Sequence, residues 1–108
     1  MLFRSDGSRA ILMRLIDGTG ISARPTEVRI CCASALAQIS PSDRPAVVKF
    51  ARTLLQDREP AVRSEAVLAL GYAGGAAVMP ELQALLLDPT PPVQLAAAKA
   101  ILAATAGR

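Results

Sequence analysis

The chain has 108 residues, 52% of them hydrophobic and 19% charged, with a net charge of +3. This is the length of one ordinary domain with a modest core, and so large an apolar share excludes intrinsic disorder. No stretch approaches the ~18–20 uninterrupted apolar residues of a membrane span. The N-terminus, with Arg4, Asp6 and Arg9 ahead of a short apolar run, reads as neither a signal nor a transit peptide. Aromatic residues are only 3%, so the core must be filled by Ala, Leu, Val and Ile, and the alanine content favours helix over strand.

Six helices are predicted in chain order. Residues 1–7 are expected to be flexible, and the first helix spans about Ser8 to Asp17, ahead of Gly18. The second spans about Pro25 to Ile39, the third about Asp43 to Gln56, and the fourth about Glu59 to Ala73. The fifth runs from about Ala76 to Leu87 and the last from about Pro91 to Ala104. Pro25, Pro60 and Pro91 fall in first turns, where a missing N–H costs nothing, and Pro80 lies near a helix start. Ser42 or Asp43 can cap an N-terminus, while Gly18 and Gly74 stand where a helix stop calls for a left-handed residue. No segment alternates in the manner of a strand.

Cys31 and Cys32 are the only cysteines. On a helix their side chains point about 100° apart, which suits two small apolar fillers and not a disulfide. With no histidine and no second cysteine pair, no zinc site is expected. A reducing cytoplasm fits this cysteine usage.

Laid against itself, the chain repeats. A shift of 31 residues matches Ala46-Val47 with Ala77-Val78, Leu54-Leu55 with Leu85-Leu86, and Asp57 with Asp88. The same shift matches Pro60 with Pro91, Val62 with Val93, Ala66 with Ala97, and Ala69 with Ala100. A shift of 34 matches Val28-Arg29 with Val62-Arg63 and Ala35-Leu36 with Ala69-Leu70. One helix pair therefore recurs three times in a single domain, with units at about 8–39, 43–73 and 76–105. Helical periodicity puts Val28, Cys32, Ala35, Leu36 and Ile39 on the core side of the first unit. The equivalent sets are Val62, Ala66, Ala69, Leu70 and Ala73, then Val93, Ala97, Ala100, Ile101 and Ala104. Stacking such pairs makes one continuous core.

The run from Asp57 to Gly71, DREPAVRSEAVLALG, resembles the signature of bacterial HEAT-like repeats, and Val78-Met79-Pro80-Glu81-Leu82 through Asp88 looks like the first helix of one. The resemblance extends over about residues 8–105 and is similar to the repeats of phycobilin-lyase-like proteins. It implies an all-α, right-handed α-solenoid of about three HEAT-like helix pairs. First helices would lie on the convex side and second helices would line the concave side. It also implies a hydrogen-bonded ladder between repeats, with Asp57 and Arg63 in the structural parts, interrupted where Gln94 replaces the arginine of the last repeat.

The concave surface is where a solenoid binds. Opposite the assigned core sector stand Ile30, Ala33, Ser34 and Ala37, then Ser64, Val67, Leu68 and Gly71, then Leu95, Ala98, Lys99 and Leu102. An exposed apolar stripe of this kind, flanked by Arg29 and Arg63, is expected to dock a protein segment such as an amphipathic helix. The terminal helices are apolar on more than one side, through Ile11, Leu12, Met13, Leu15 and Ile16 at one end and Leu87 and Leu102 at the other. Ends of this kind predict self-association or a place within a longer array.

Enzymatic activity is not expected: there is no histidine, no phosphate-binding glycine loop and no nucleophile elbow. No cofactor is expected either. The reading that results is a protein–protein interaction or adaptor module. A nucleic-acid-binding repeat using Arg24, Arg29, Arg44, Lys49, Arg52, Arg58 and Arg63 is the alternative, although acidic residues are interspersed among these cations. An accessory role in a lyase-like cofactor-attachment system rests on the family resemblance alone.

Overall fold

The computed structural model describes residues 9–12 and 26–106. Residues 9–12 are helical, and five further helices follow: α1 (Thr26–Ile39), α2 (Arg44–Thr53), α3 (Pro60–Gly74), α4 (Met79–Leu85) and α5 (Pro91–Ala106). The described residues contain no strand. The expectations for residues 1–7, Met13, Leu15, Ile16, Asp17, Gly18, Arg24 and Pro25 lie outside the described residues.

The prolines set the helix starts. α3 and α5 begin on Pro60 and Pro91, and Pro45 and Pro80 occupy the first turns of α2 and α4. In each place the lost N–H is one that a helix leaves unpaired anyway. The stops repeat as faithfully. α2 and α4 end two or three residues earlier than the sequence suggests, because both tighten into turns. Leu55 N donates to Arg52 O and Asp57 N to Leu54 O; 31 residues on, Leu86 N donates to Gln83 O and Asp88 N to Leu85 O. An aspartate then closes each corner: Asp57 Oδ1 accepts Glu59 N–H and Asp88 Oδ1 accepts Thr90 N–H, both at 2.9 Å. Such Asx turns satisfy backbone donors that would otherwise open a helix unpaired.

Two punctuation marks work differently from expectation. The left-handed residue after α3 is Gly75, at φ 58°, and not Gly74, which has helical angles. Gly74 is needed for space, since a Cβ there would lie 2.4 Å from Val78 Cγ1. Asp43 precedes α2 in the capping position, yet its side chain makes no cap hydrogen bond. It is bound instead by Arg9, whose Nη2 donates to Oδ1 at 2.8 Å, and by Ser40 Oγ, which donates to Oδ2 at 2.6 Å. The clamp ties the helical segment 9–12 to the start of α2. A second tie joins α2 to α4, where Arg52 Nη2 donates to Glu81 Oε1 at 2.6 Å.

The Arg9 guanidinium and then the Ser40 hydroxyl hold the Asp43 carboxyl down to about 2. An unfolded aspartate titrates near ~4, so the clamp's stabilisation is fully present above that value and is lost as pH falls through about 2. Asp43→Asn is therefore expected to lower the urea midpoint at neutral pH, with the two proteins converging as pH drops from about 4 towards 2. Parallel midpoints across that range would show that the clamp contributes nothing.

The second helices α1, α3 and α5 pack side by side with α3 in the middle, and α2 and α4 lie against them. Small residues allow the close approach. Ala33, Ala37, Ala51, Ala66, Ala69, Ala97 and Ala100 are all inaccessible to solvent, around Ile30, Leu36, Val47, Val67, Leu70, Val78, Leu82 and Val93. Each of these larger side chains contributes about 1.5–3 kcal/mol on full burial. The tightest point is Gly71, where an added Cβ would lie 2.6 Å from Ala100 Cβ.

Candidate protein-interaction surface

α3 is packed on three sides, which decides what its face can offer. Val62, Ala66 and Ala69 are buried on one flank, and Val67 and Gly71 on the other, where Gly71 meets Ala100 of α5. Leu70 lies between the flanks and is fully buried. At 100° per residue, the sector left over, opposite Leu70, carries Ala61, Glu65, Leu68 and Tyr72. Ala61 and Tyr72 are exposed and Glu65 and Leu68 half-buried.

This geometry corrects the expected binding stripe. Ile30, Ala33 and Ala37 are fully buried, Ser34 is nearly so, and Val67 and Gly71 are buried as well. None of these six lines a surface, because the flank assigned to solvent is the one that receives the next repeat. Arg29, Arg63, Ser64 and Leu68 are half-buried. Only the last repeat presents the stripe as expected, with Leu95, Ala98, Lys99 and Leu102 exposed. The core sector shows the mirror-image error. Its members in α3 and α5 are buried apart from half-buried Ala73 and Ile101, but in α1 only Leu36 is; Cys32, Ala35 and Ile39 are half-buried, and Val28 is 40% exposed. Both flanks are packing faces, and each opens to solvent at one end of the stack.

The outward stripe is consequently more polar than the sequence suggests. Across the three second helices it runs from Glu27, Cys31 and Gln38 through Glu65, Leu68 and Tyr72 to Lys99. Tyr72 borders a cleft of about 450 Å³ at the C-terminal ends of α3 and α5, reached also by Arg44, Gly75 and Ala103. Sequence reasoning missed Glu65 and Tyr72. They are the one acidic and the one aromatic residue of α3, but the sector they share can be told from the packing flanks only once the rotation of the helix is known.

Cys31 sits among carboxylates. Burial, then Glu65 and Glu27, push its thiol up to about 11, so it is neutral at physiological pH and a poor nucleophile. Neither cysteine is in a disulfide. Among the described residues no group of three or more His, Cys, Asp or Glu side chains is placed to hold a metal ion, and no helix is long and apolar enough to cross a membrane.

The expected ladder takes a different route. Arg63 Nη1 donates to the backbone carbonyl of Asp57 at 2.8 Å, and Nη2 donates to Thr90 Oγ1 of the next repeat at 3.2 Å. Its Nε lies 3.5 Å from Asp88 Oδ2, an ion pair without hydrogen-bond geometry. The carboxylate across the junction thus belongs to Asp88, while that of Asp57 closes its own corner. Gln94 keeps the inner half of the pattern, donating from Nε2 to Asp88 O at 2.7 Å. Asp88 is held below the usual carboxylate range, chiefly by Thr90 and further by Arg63.

Stacked helix pairs, with second helices side by side and corner residues bridging successive units, define an α-solenoid of helical repeats. The sequence matches the family described as HEAT repeats over residues 7–102. The chain belongs to the HEAT-repeat family. No curated protein and no solved structure gives a significant match.

Proposed function

We propose that the chain is a protein-binding HEAT module, and that the partner lies along the outward stripe of the second helices with Tyr72 as its anchor. The observation that carries this reading is Tyr72 itself, 37% exposed on the central helix beside a cleft. Half-buried Leu68 and Glu65 lie on the same face, and Lys99 is on the neighbouring helix. Aromatic anchors in recesses with a mixed polar surround are typical of protein interfaces.

The arginines support a protein partner over nucleic acid. Arg9 and Arg52 are paired with Asp43 and Glu81, Arg63 bridges two repeats, Arg44 Nε donates to Ala37 O, and Arg29 lies over the Phe50 ring at 5.2 Å. These cations bind the fold together instead of forming an open track for phosphates.

Site-specific photo-crosslinking tests the reading. A photoreactive phenylalanine at position 72 is expected to capture a defined protein partner, while the same group at exposed Gln83 on α4 captures none. Tyr72→Ala should then weaken the captured partner by about 10-fold or more. Adducts formed equally from both positions, or an affinity untouched by Tyr72→Ala, would reject this surface.

A further inference from the structure

The two open flanks of the stack correspond to the two halves of its internal junction. Where α3 meets α5, Gly71 lies against Ala100. Moving the α3 side of that junction forward by 31 residues turns Ser64, Val67, Leu68 and Gly71 into Leu95, Ala98, Lys99 and Leu102. All four are exposed, Leu95 at 58% and Leu102 at 68%. The α5 side of the junction is Val93, Ala97 and Ala100, and its counterparts on α1 are Val28, Cys32 and Ala35. There the surface is hollowed into a groove of about 500 Å³, completed by Leu12, Glu27 and Cys31. One end of the molecule is a leucine ridge, and the other is an apolar groove lined by small residues.

We propose that copies of this chain associate head to tail, the α5 ridge of one copy seating in the α1 groove of the next. The inference does not need Tyr72, although Glu27, Cys31 and Lys99 border both surfaces. The repeat register places Leu102 against Ala35 and Leu95 against Val28 of the neighbouring copy, continuing the junction that Gly71 and Ala100 make inside the chain. Charge favours this arrangement over ridge against ridge. Head to tail, Lys99 arrives beside the groove whose rim carries Glu27. Pairing two ridges would oppose two copies of Lys99 and leave both grooves open. The contact is heterologous, so it does not close on a dimer.

The test is sedimentation velocity over a wide concentration range. The native chain is expected to grow past the dimer as concentration rises. Leu102→Lys and Val28→Lys alter opposite ends at exposed positions, so each should keep its helicity yet remain monomeric alone. Mixed, the intact groove of the first takes the intact ridge of the second, and a one-to-one dimer forms that grows no further. Leu95→Lys and Cys31→Lys repeat the two arms should either first variant lose circular dichroism signal. A native chain that stays monomeric throughout overturns the proposal and leaves both faces to other helix pairs. A dimer abolished by Leu102→Lys but indifferent to Val28→Lys overturns it in favour of ridge pairing.

Discussion

Gly71→Ala is expected to lower the melting temperature by roughly 10 °C, although alanine is the better helix former. Propensity alone favours the substitution by about 1 kcal/mol. The added methyl, however, would lie 2.6 Å from Ala100 Cβ and 2.8 Å from both the Cα and the carbonyl oxygen of Ala100. Two of these three atoms are backbone, so no rotamer change relieves the overlap and the two helices must separate. Overpacking of this kind costs about 1–3 kcal/mol, occasionally more. Because the overlap falls on backbone the cost lies at the upper end of that range, and after the propensity gain the net loss is about 2 kcal/mol, or roughly 10 °C for a chain of this size. Melting followed by circular dichroism measures it. A melting temperature equal to or above that of the native chain would mean that α5 slides past α3 without cost.

The second large effect contrasts one repeat position in two places. Val67→Asp is expected to unfold the chain, and Ala98→Asp, 31 residues later at the same position of the repeat, to change stability by no more than about 1 kcal/mol. Val67 is fully buried on the α5 side of α3, whereas Ala98 is exposed. An unpaired carboxylate at Val67 either stays charged in an apolar setting or takes up a proton, and both cost several kcal/mol. That is a large share of the ~5–15 kcal/mol holding an ordinary domain together. Urea unfolding at concentrations where the chain is monomeric distinguishes the two variants, and similar losses from both would show that α5 is covered within one chain where the structure leaves it open.

The same contrast explains what the sequence could and could not disclose. Repeat phase, helix order and the starts of α3 and α5 were legible because prolines and corner aspartates recur at fixed intervals and act locally, whereas α4 starts at Met79 and not at Ala76, since Gly75–Val78 wind into a tighter 3-10 turn. Pro60 and Pro91 open helices, and Asp57 and Asp88 close corners, whatever surrounds them. The rotation of each second helix was not legible. Periodicity separates an apolar face from a polar one, and α3 is apolar on both flanks because it has a repeat on either side. Choosing one flank as the core made Val67 look exposed and Val28 look buried, the reverse of what the structure shows. Translational repetition predicts what a position can contact, but only its place in the stack decides whether the neighbour is there. The ladder was half legible for a related reason. Arg63 and Asp57 were identifiable as participants, but that Arg63 takes only the backbone carbonyl of Asp57 and reaches forward to Asp88 depends on how successive pairs are set against each other.

The central place of α3 bears on the order in which the fold comes apart. Among the described elements α1 and α5 both pack on α3 and share no substantial contact with each other. Loss of either end therefore exposes one side of α3 and leaves the opposite junction intact. A stack with only nearest-neighbour coupling has that property, and it opens from its ends instead of melting through its middle. Arg63 fastens α3 to the corner ahead of α5, while Gln94 at the corresponding position carries no charge with which to grip anything beyond. Amide protons near Leu70 are accordingly the last to exchange with solvent, and fraying spreads inwards from the two termini towards a single surviving helix.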